Sequence, residues 1–250
     1  MDSIKDKCAV VTGAASGIGQ ATAVLLAKNG AKVIVSDINE AAAEETVKMI
    51  AEAGGTAKFI ACNVADKDAV KELMVQAIAA FGPVKFAVNN AGIGGVLSPL
   101  HEIKFENWDR MIAINLSGVF YCMKEEISAM LHHGGGNIVN VASLAGLGGV
   151  PGGSPYCAAK HGVVGLTRSA SMEYAKLNIR VNAVCPGWTE TAILDGLSPE
   201  MLDTSVRRYV PMGRLGKPME VAETILWLLS DKSSFVNGHC LAIDGGMKAS

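Results

Sequence analysis

Short apolar, β-branched runs recur along the chain and alternate with longer stretches whose apolar positions keep a helical spacing. The runs are Cys8–Thr12, Lys32–Ser36, Lys58–Cys62, Phe86–Asn89, Asn137–Val141, Arg180–Val184 and Cys240–Ile243. Most are too continuously apolar for half-exposed hairpin strands, so the pattern predicts strands buried on both faces. Helices are predicted at Ile18–Asn29, stopping at Gly30, at Glu40–Ala53, stopping at Gly54-Gly55, and at Asp66–Phe81, capped by Asp66 and ended by Gly82-Pro83. Three more follow at Asn107–Leu131, Pro155–Leu177 and Pro218–Leu229. Strand–helix alternation over the whole length implies right-handed crossovers. The expected fold is therefore one α/β domain over residues 1–250, a doubly wound, seven-stranded parallel sheet with helices on both faces.

Composition narrows the function classes. The 250 residues are 50% hydrophobic and 18% charged, enough to bury a large core. Lys and Arg number 22 against 24 Asp and Glu, a balance that offers no basic field to nucleic acid or membrane. The six cysteines lie at least 28 residues apart, with no zinc spacing and no disulfide framework, so no metal site is expected. His132-His133 at a helix end fits the helix dipole better than a metal. The polar opening Met1–Asp6 does not read as a signal peptide. The charge-free stretch Gly134–Ala159 holds eight Gly, two Pro and two Asn, and so lacks the apolar run of a membrane span. A soluble, reduced, cytoplasmic chain is expected.

The first strand runs into Thr12-Gly13-Ala14-Ala15-Ser16-Gly17-Ile18-Gly19, which opens a helix. Glycines at this spacing allow a tight turn and close backbone approach, and the helix N-terminus offers free N–H groups to a pyrophosphate. Asp37 ends the second strand, 18 residues after Gly19. A carboxylate there can accept hydrogen bonds from an adenosine ribose, whereas a 2′-phosphate would meet a like charge. No Arg or Lys stands at positions 36, 38 or 39. The expectation is NAD(H); the competing reading makes Asp37 a cap for the following helix.

Tyr156 and Lys160 stand four apart near a helix start, on one face. A free tyrosine titrates near pH 10, and lowering it by about three units takes about 4 kcal/mol. One cation at about 4 Å, with effective ε near 20, supplies a similar amount. The pair can therefore make a tyrosine acid/base, although a Lys snorkelling beside a core Tyr is the commoner arrangement. Ser143 follows a strand 13 residues before Tyr156, and Asn115 sits inside a predicted helix, where an amide needs a partner.

With these marks in order, joined by Asn89-Asn90-Ala91-Gly92 and Pro186-Gly187 with Thr191, the chain resembles the one-domain branch of the short-chain dehydrogenase/reductase family over essentially its whole length. The resemblance implies a Rossmann-like fold and a catalytic tetrad of Asn115, Ser143, Tyr156 and Lys160. Ser143 would polarise the substrate oxygen and Tyr156 transfer the proton. Lys160 would also bond the nicotinamide ribose, and Asn115 would hold a water linking Lys160 to solvent. Cofactor contacts would come from Gly13, Ser16, Gly17, Ile18, Gly19, Asp37, Asn63, Val64, Asn90, Ala91, Gly92, Tyr156, Lys160, Pro186, Gly187, Thr189 and Thr191. Asn63-Val64 replaces the family's usual Asp-Val at the adenine, and the Asn63 oxygen could still bond the adenine amino group. Divergent enoyl reductases of the superfamily space Tyr and Lys seven apart, but position 163 is Val.

The substrate pocket is expected among Gly94, Gly95, Val96, Ala145, Trp188, Ile193 and Leu194. These small or apolar residues favour a modest uncharged ketone or secondary alcohol. Residues 190–212 are expected to form a lid within the domain. The resemblance also implies a homotetramer, with the helices containing Asn115 and Tyr156 pairing across a two-fold axis. The expected activity is an NAD-dependent alcohol dehydrogenase/carbonyl reductase. Its alternatives are an NADPH-dependent 3-oxoacyl-carrier reductase, which Asp37 opposes, and a non-catalytic dinucleotide-binding regulator, which would not need all four tetrad residues.

Overall fold

The computed structural model describes residues 3–196 and 198–249. Strands β1 (Cys8–Thr12), β2 (Lys32–Asp37), β3 (Thr56–Ala61), β4 (Val84–Asn89), β5 (Gly136–Val141), β6 (Ile179–Pro186) and β7 (Cys240–Ile243) form one sheet. Its order is β3-β2-β1-β4-β5-β6-β7 and every pairing is parallel. The helices are α1 (Gly17–Lys28), α2 (Glu40–Glu52), α3 (Lys67–Phe81), α4 (Phe105–Ile112), α5 (Gly118–His132), α6 (Ser154–Tyr174), α7 (Pro199–Tyr209) and α8 (Pro218–Leu229). Asp66 caps α3 as expected, its side chain accepting from the Asp68 and Ala69 amides.

Successive residues of each strand feed opposite faces. Val33 and Val35 join Leu26, Ile50, Ile225 and Leu228 in one core layer. Ile34, between them, joins Leu73, Met130, Ile138 and Ile179 in the other. Each fully buried Ile or Leu contributes about 1.5–3 kcal/mol, which is why two-sided strands carry apolar side chains at nearly every position. The edges depart from that expectation. In β3 only Ile60 is buried, and all four residues of β7 are half-buried, because an edge strand lacks a neighbour on one side. Among the described residues no helix is long and apolar enough to cross a membrane.

The long helix expected over Asn107–Leu131 is present from Phe105 to His132, with a change of spiral inside it. Helices α4 and α5 are joined by a π turn at Ala113–Ser117, with Asn115 at its middle. A π turn widens the backbone spiral by one residue and commonly sits at a functional site. Leu116 packs on α6 where Gly162 leaves room, since a Cβ there would stand 2.6 Å from Leu116 Cδ1.

Behind the strand ends lies a buried polar chain. Asn89 Nδ2 donates to Glu126 and to Asn140 Oδ1, both at 3.0 Å, and Asn140 Nδ2 donates to Thr167 Oγ1 at 2.9 Å. Burial pushes the Glu126 carboxyl up to about 7, although the bond from Asn89 opposes the shift.

Candidate active site

Gly13, Asp37, Asn63, Asn90, Ser143 and Pro186 all fall at or just past the carboxyl end of a strand. The sheet grows outward in opposite directions from β1 and β4. A crevice at that edge is where open α/β sheets bind ligands.

The turn after β1 is stapled to the end of β4. Thr12 Oγ1 accepts from the Asn90 amide at 3.1 Å and the Ala91 amide at 3.2 Å. Asn90 Nδ2 donates to the Thr12 and Gly13 carbonyls at 3.1 and 2.9 Å. Asn90 therefore braces the turn through its side chain. Gly13, at φ 63°, has no room for a side chain: a Cβ would stand 2.7 Å from Ala91 Cα. Ser16 precedes α1 without capping it through its side chain, and the first turn holds no acidic residue. The N-terminus of α1 is thus left to an outside acceptor.

Asp37 braces the glycine turn and the approach to α2 without capping that helix. Its Oδ2 accepts from the Ala15 amide and its Oδ1 from the Asn39 amide, both at 3.0 Å. The cap of α2 is Asn39, which accepts from Ala42. Asn63 Oδ1 accepts from the Ala65 amide at 3.1 Å, so this oxygen is already engaged in a local turn. Val64 and Cys62 are buried packing residues. The tight turn, the uncapped helix end and the carboxylate beyond β2 together fit a nicotinamide dinucleotide.

Ser143 caps a short 3-10 turn at Leu144–Gly146, its Oγ accepting from the Ala145 amide at 3.1 Å. Its hydroxyl also acts on the Tyr156 phenol, favouring the ionised form. Tyr156 lies in the first turn of α6, and Lys160 follows one turn later with its Nζ 5.6 Å from the tyrosine ring centroid. Lys160 is 4% exposed and donates to the Val141 carbonyl at 2.8 Å. Burial pulls its pKa down to about 8. Burial pushes the Tyr156 phenol above its ordinary value, with the Ser143 bond working against that shift. Desolvation is the largest influence on the phenol, and the Lys160 ammonium is engaged by a backbone carbonyl.

Asn115 is completely buried, and both its polar atoms are committed. Oδ1 accepts from the Ile93 amide and Nδ2 donates to the Ile93 carbonyl, each at 2.8 Å, while Nδ2 also meets Met111 Sδ. The side chain therefore pins the strap after β4. Gly92 fits beneath, since a Cβ there would lie 3.0 Å from Asn115 Oδ1 and 3.7 Å from Lys160 Nζ.

Of the expected pocket residues, Gly94 lies against Ile193, a Cβ there standing 3.3 Å from Ile193 Cγ2, and Gly95 lies over the Met111 methyl. Ala145 is buried and Val96 is 80% exposed. Leu194 lines a cavity of about 870 Å³ beside α1 and the start of α8 together with Gly17 and Thr191, and neither Ser143 nor Tyr156 is among its lining residues. Pro186 ends β6, Gly187 packs on Asp244, Thr189 pairs with Gly216 in an isolated bridge, and Thr191 lies against Gly17. Sequence reasoning missed Met111, whose sulfur meets Asn115 Nδ2. It looks like an ordinary core residue, so no sequence signal marks it.

Comparison with known proteins agrees with this geometry. A family model described as "Enoyl-(Acyl carrier protein) reductase" matches residues 13–248. Cyclohexanol dehydrogenase of Acinetobacter sp. (strain SE19) is 45% identical over 244 residues, 98% of this chain and 96% of that protein. Cis-4-hydroxycyclohexanecarboxylate dehydrogenase of Sinomonas cyclohexanicum is 46% identical over 248 residues, 99% of each. The crystal structure of levodione reductase superposes with a TM-score of 0.96 at 34% identity, covering 98% of this chain and 99% of that one. The chain belongs to the short-chain dehydrogenase/reductase family.

Proposed function

We propose that this chain is an NAD(H)-dependent oxidoreductase that interconverts an alicyclic secondary alcohol and its ketone. The carrying observation is the Ser143–Tyr156–Lys160 cluster at the same sheet edge as the glycine turn and Asp37. The named activities of the two relatives supply the substrate class. The Tyr-x-x-x-Lys spacing, with Val at position 163, favours this over the enoyl reduction named by the matching family description.

The dinucleotide, when bound, supplies the nicotinamide that delivers or takes up the hydride. Its pyrophosphate would rest on the amides of Gly17 and Ile18, and its adenosine ribose on Asp37. Asn63, Val64, Ala91 and Gly92 would flank the adenine side, and Pro186, Gly187, Thr189 and Thr191 the nicotinamide side. For the chain's own residues, Ser143 Oγ holds the substrate oxygen. Tyr156, kept protonated by burial, donates its proton to the oxygen of a ketone as the carbon gains hydride. In the reverse direction the alcohol proton passes to the phenolate. Lys160 stands beside the ring as the reserve cation, and Asn115 keeps Gly92 and Ile93 in place.

Gly94, Gly95 and Ile193 form an apolar wall suited to a ring carbon skeleton, and residues 190–212, of which residue 197 lies outside the described residues, act as the lid. We assign the protein to the cytoplasm and to a homotetramer built through α5 and α6; the exposed Phe120 and Met172 on those helices support the pairing. The test is NADH absorbance with NAD+ or NADP+ and a panel of cyclohexanol, cyclopentanol and 2-butanol. Turnover of cyclohexanol with NAD+ is expected. Inactivity on every alcohol and on the matching ketones, with NADH or NADPH, overturns the reading.

A further inference from the structure

Asn115 closes a two-way hydrogen-bonded ring with the Ile93 backbone, and that ring fixes which way its amide faces. One N–H goes to the Ile93 carbonyl, so the other must find an acceptor in a site closed to water. Among the described residues it meets the thioether of Met111, one helical turn earlier at the end of α4. The methyl of the same side chain lies under Gly95, where a Cβ would stand 2.8 Å from Met111 Cε. Met111 is 4% exposed, so it is walled in on all sides. One side chain thus touches both the anchor of the strap and its floor.

We propose that Met111 is a positioning residue for the strap Gly92–Gly95, its sulfur orienting Asn115 and its methyl setting the depth of the substrate wall at Gly95. The two roles separate by substitution. Met111→Leu keeps the volume and removes the acceptor, leaving a buried N–H unpaired. Met111→Ala removes both and opens space beneath Gly95. The first consequence is local and needs no substrate: the Ile93 amide, which donates to Asn115 Oδ1, loses protection. The second concerns ring size and rests on the function proposed above.

Hydrogen exchange read residue by residue on the full chain tests the first. In Met111→Leu the Ile93 amide should exchange about fivefold or more faster, the equivalent of one lost hydrogen bond, while the amides of Phe86–Asn89 in β4 stay unchanged. Wild-type protection at Ile93 in that variant overturns the proposal, as does a uniform acceleration across β4, which would make Met111 a stability residue alone. Steady-state kinetics on cyclopentanol, cyclohexanol and cyclooctanol tests the second. Met111→Ala should raise the relative kcat/KM for the largest ring at least threefold, with Met111→Leu keeping the wild-type order and an unaltered Kd for NADH. An unchanged ring order in Met111→Ala overturns the wall-setting role. If wild type turns over no alcohol, the functional reading fails on its own and the exchange result still decides the anchor.

Discussion

The two sides of the crevice are built differently. On the cofactor side, the turn after β1 is tied to β4 through Thr12 and Asn90 and to β2 through Asp37, with four of the side-chain bonds between 2.9 and 3.1 Å. On the proposed substrate side, Val96 is 80% exposed and Ile193 51%, and Ile193 meets Gly94 through its apolar Cγ2. A site fastened by directional bonds tolerates one ligand shape. A rim of apolar side chains can be resized one methyl at a time. The shared chemistry therefore belongs to the fastened side, and the identity of the alcohol to the loose one.

The sharpest way to break that division is at Tyr156, where the two sides meet. Tyr156→Phe should cost at least about a thousandfold in kcat while NADH still binds, because general acid/base transfer is worth roughly 10²- to 10⁴-fold. Stopped-flow kinetics and NADH fluorescence titration read the two quantities; turnover within tenfold of wild type would remove the phenol from the reaction. The same raised phenol sets the pH dependence. A phenol held above its ordinary value is mostly protonated at neutral pH, so the phenolate grows as pH rises. Alcohol oxidation should climb from pH 7 to 9 as ketone reduction holds or declines, read from initial rates in both directions.

A change on the fastened side should alter which cofactor is used and leave the alcohol preference alone. Asp37→Asn keeps the shape and removes the charge that opposes a 2′-phosphate. The ratio of kcat/KM for NAD+ over NADP+ should narrow by about tenfold or more. An unchanged ratio would leave Asp37 as a brace for Ala15 and Asn39 only.

The buried chain behind β4 and β5 gives the fastened side a pH signature of its own. Glu126 has an ordinary value of 4.5 and is raised to about 7 in the fold. The native state therefore holds its proton more tightly than the unfolded chain. Its contribution is fully present below pH 4.5 and is lost as pH rises through 7, by up to on the order of 3 kcal/mol. Glu126→Gln, which mimics the protonated acid, should flatten that decline. Thermal unfolding of both proteins at pH 5 and pH 8 measures it, and parallel slopes would place the acid's charge elsewhere.

The sequence and the structure agree most closely where burial is two-sided. Runs such as Val33–Val35 must be apolar at successive positions because neighbours feed both core layers, and that leaves a plain pattern. At the edges the constraint halves: β3 keeps Lys58 and begins at Thr56, two residues before the apolar run suggests. The π turn at Ala113–Ser117 escapes notice because it holds neither Gly nor Pro, and the extra residue is accommodated by contacts to Ile93 and Gly162 that lie far along the chain. The closeness of Lys160 to the Tyr156 ring is readable from their four-residue spacing on one helix. The raised Tyr156 and lowered Lys160 are not, because desolvation depends on how deeply α6 sits against β5 and β6.

The smallest effect is expected on the rim, and it probes the comparison from the loose side. Ile193 packs its Cγ2 against Gly94, which has no side chain to answer it, so the contact is a single apolar patch with no bond behind it. Truncation to Ala removes three carbons from a half-exposed position, where only part of the usual burial energy of about 0.8 kcal/mol per methylene is at stake. Ile193→Ala should therefore raise KM for cyclohexanol about three- to tenfold, with kcat and the Kd for NADH changing less than twofold. Gly94→Ala approaches the same contact from the strap and should push Ile193 outward, moving KM in the same direction. If either variant instead changes NADH affinity in step with KM, the rim and the cofactor seat are mechanically one body, and the division between fastened and loose sides fails at the Gly94–Ile193 contact.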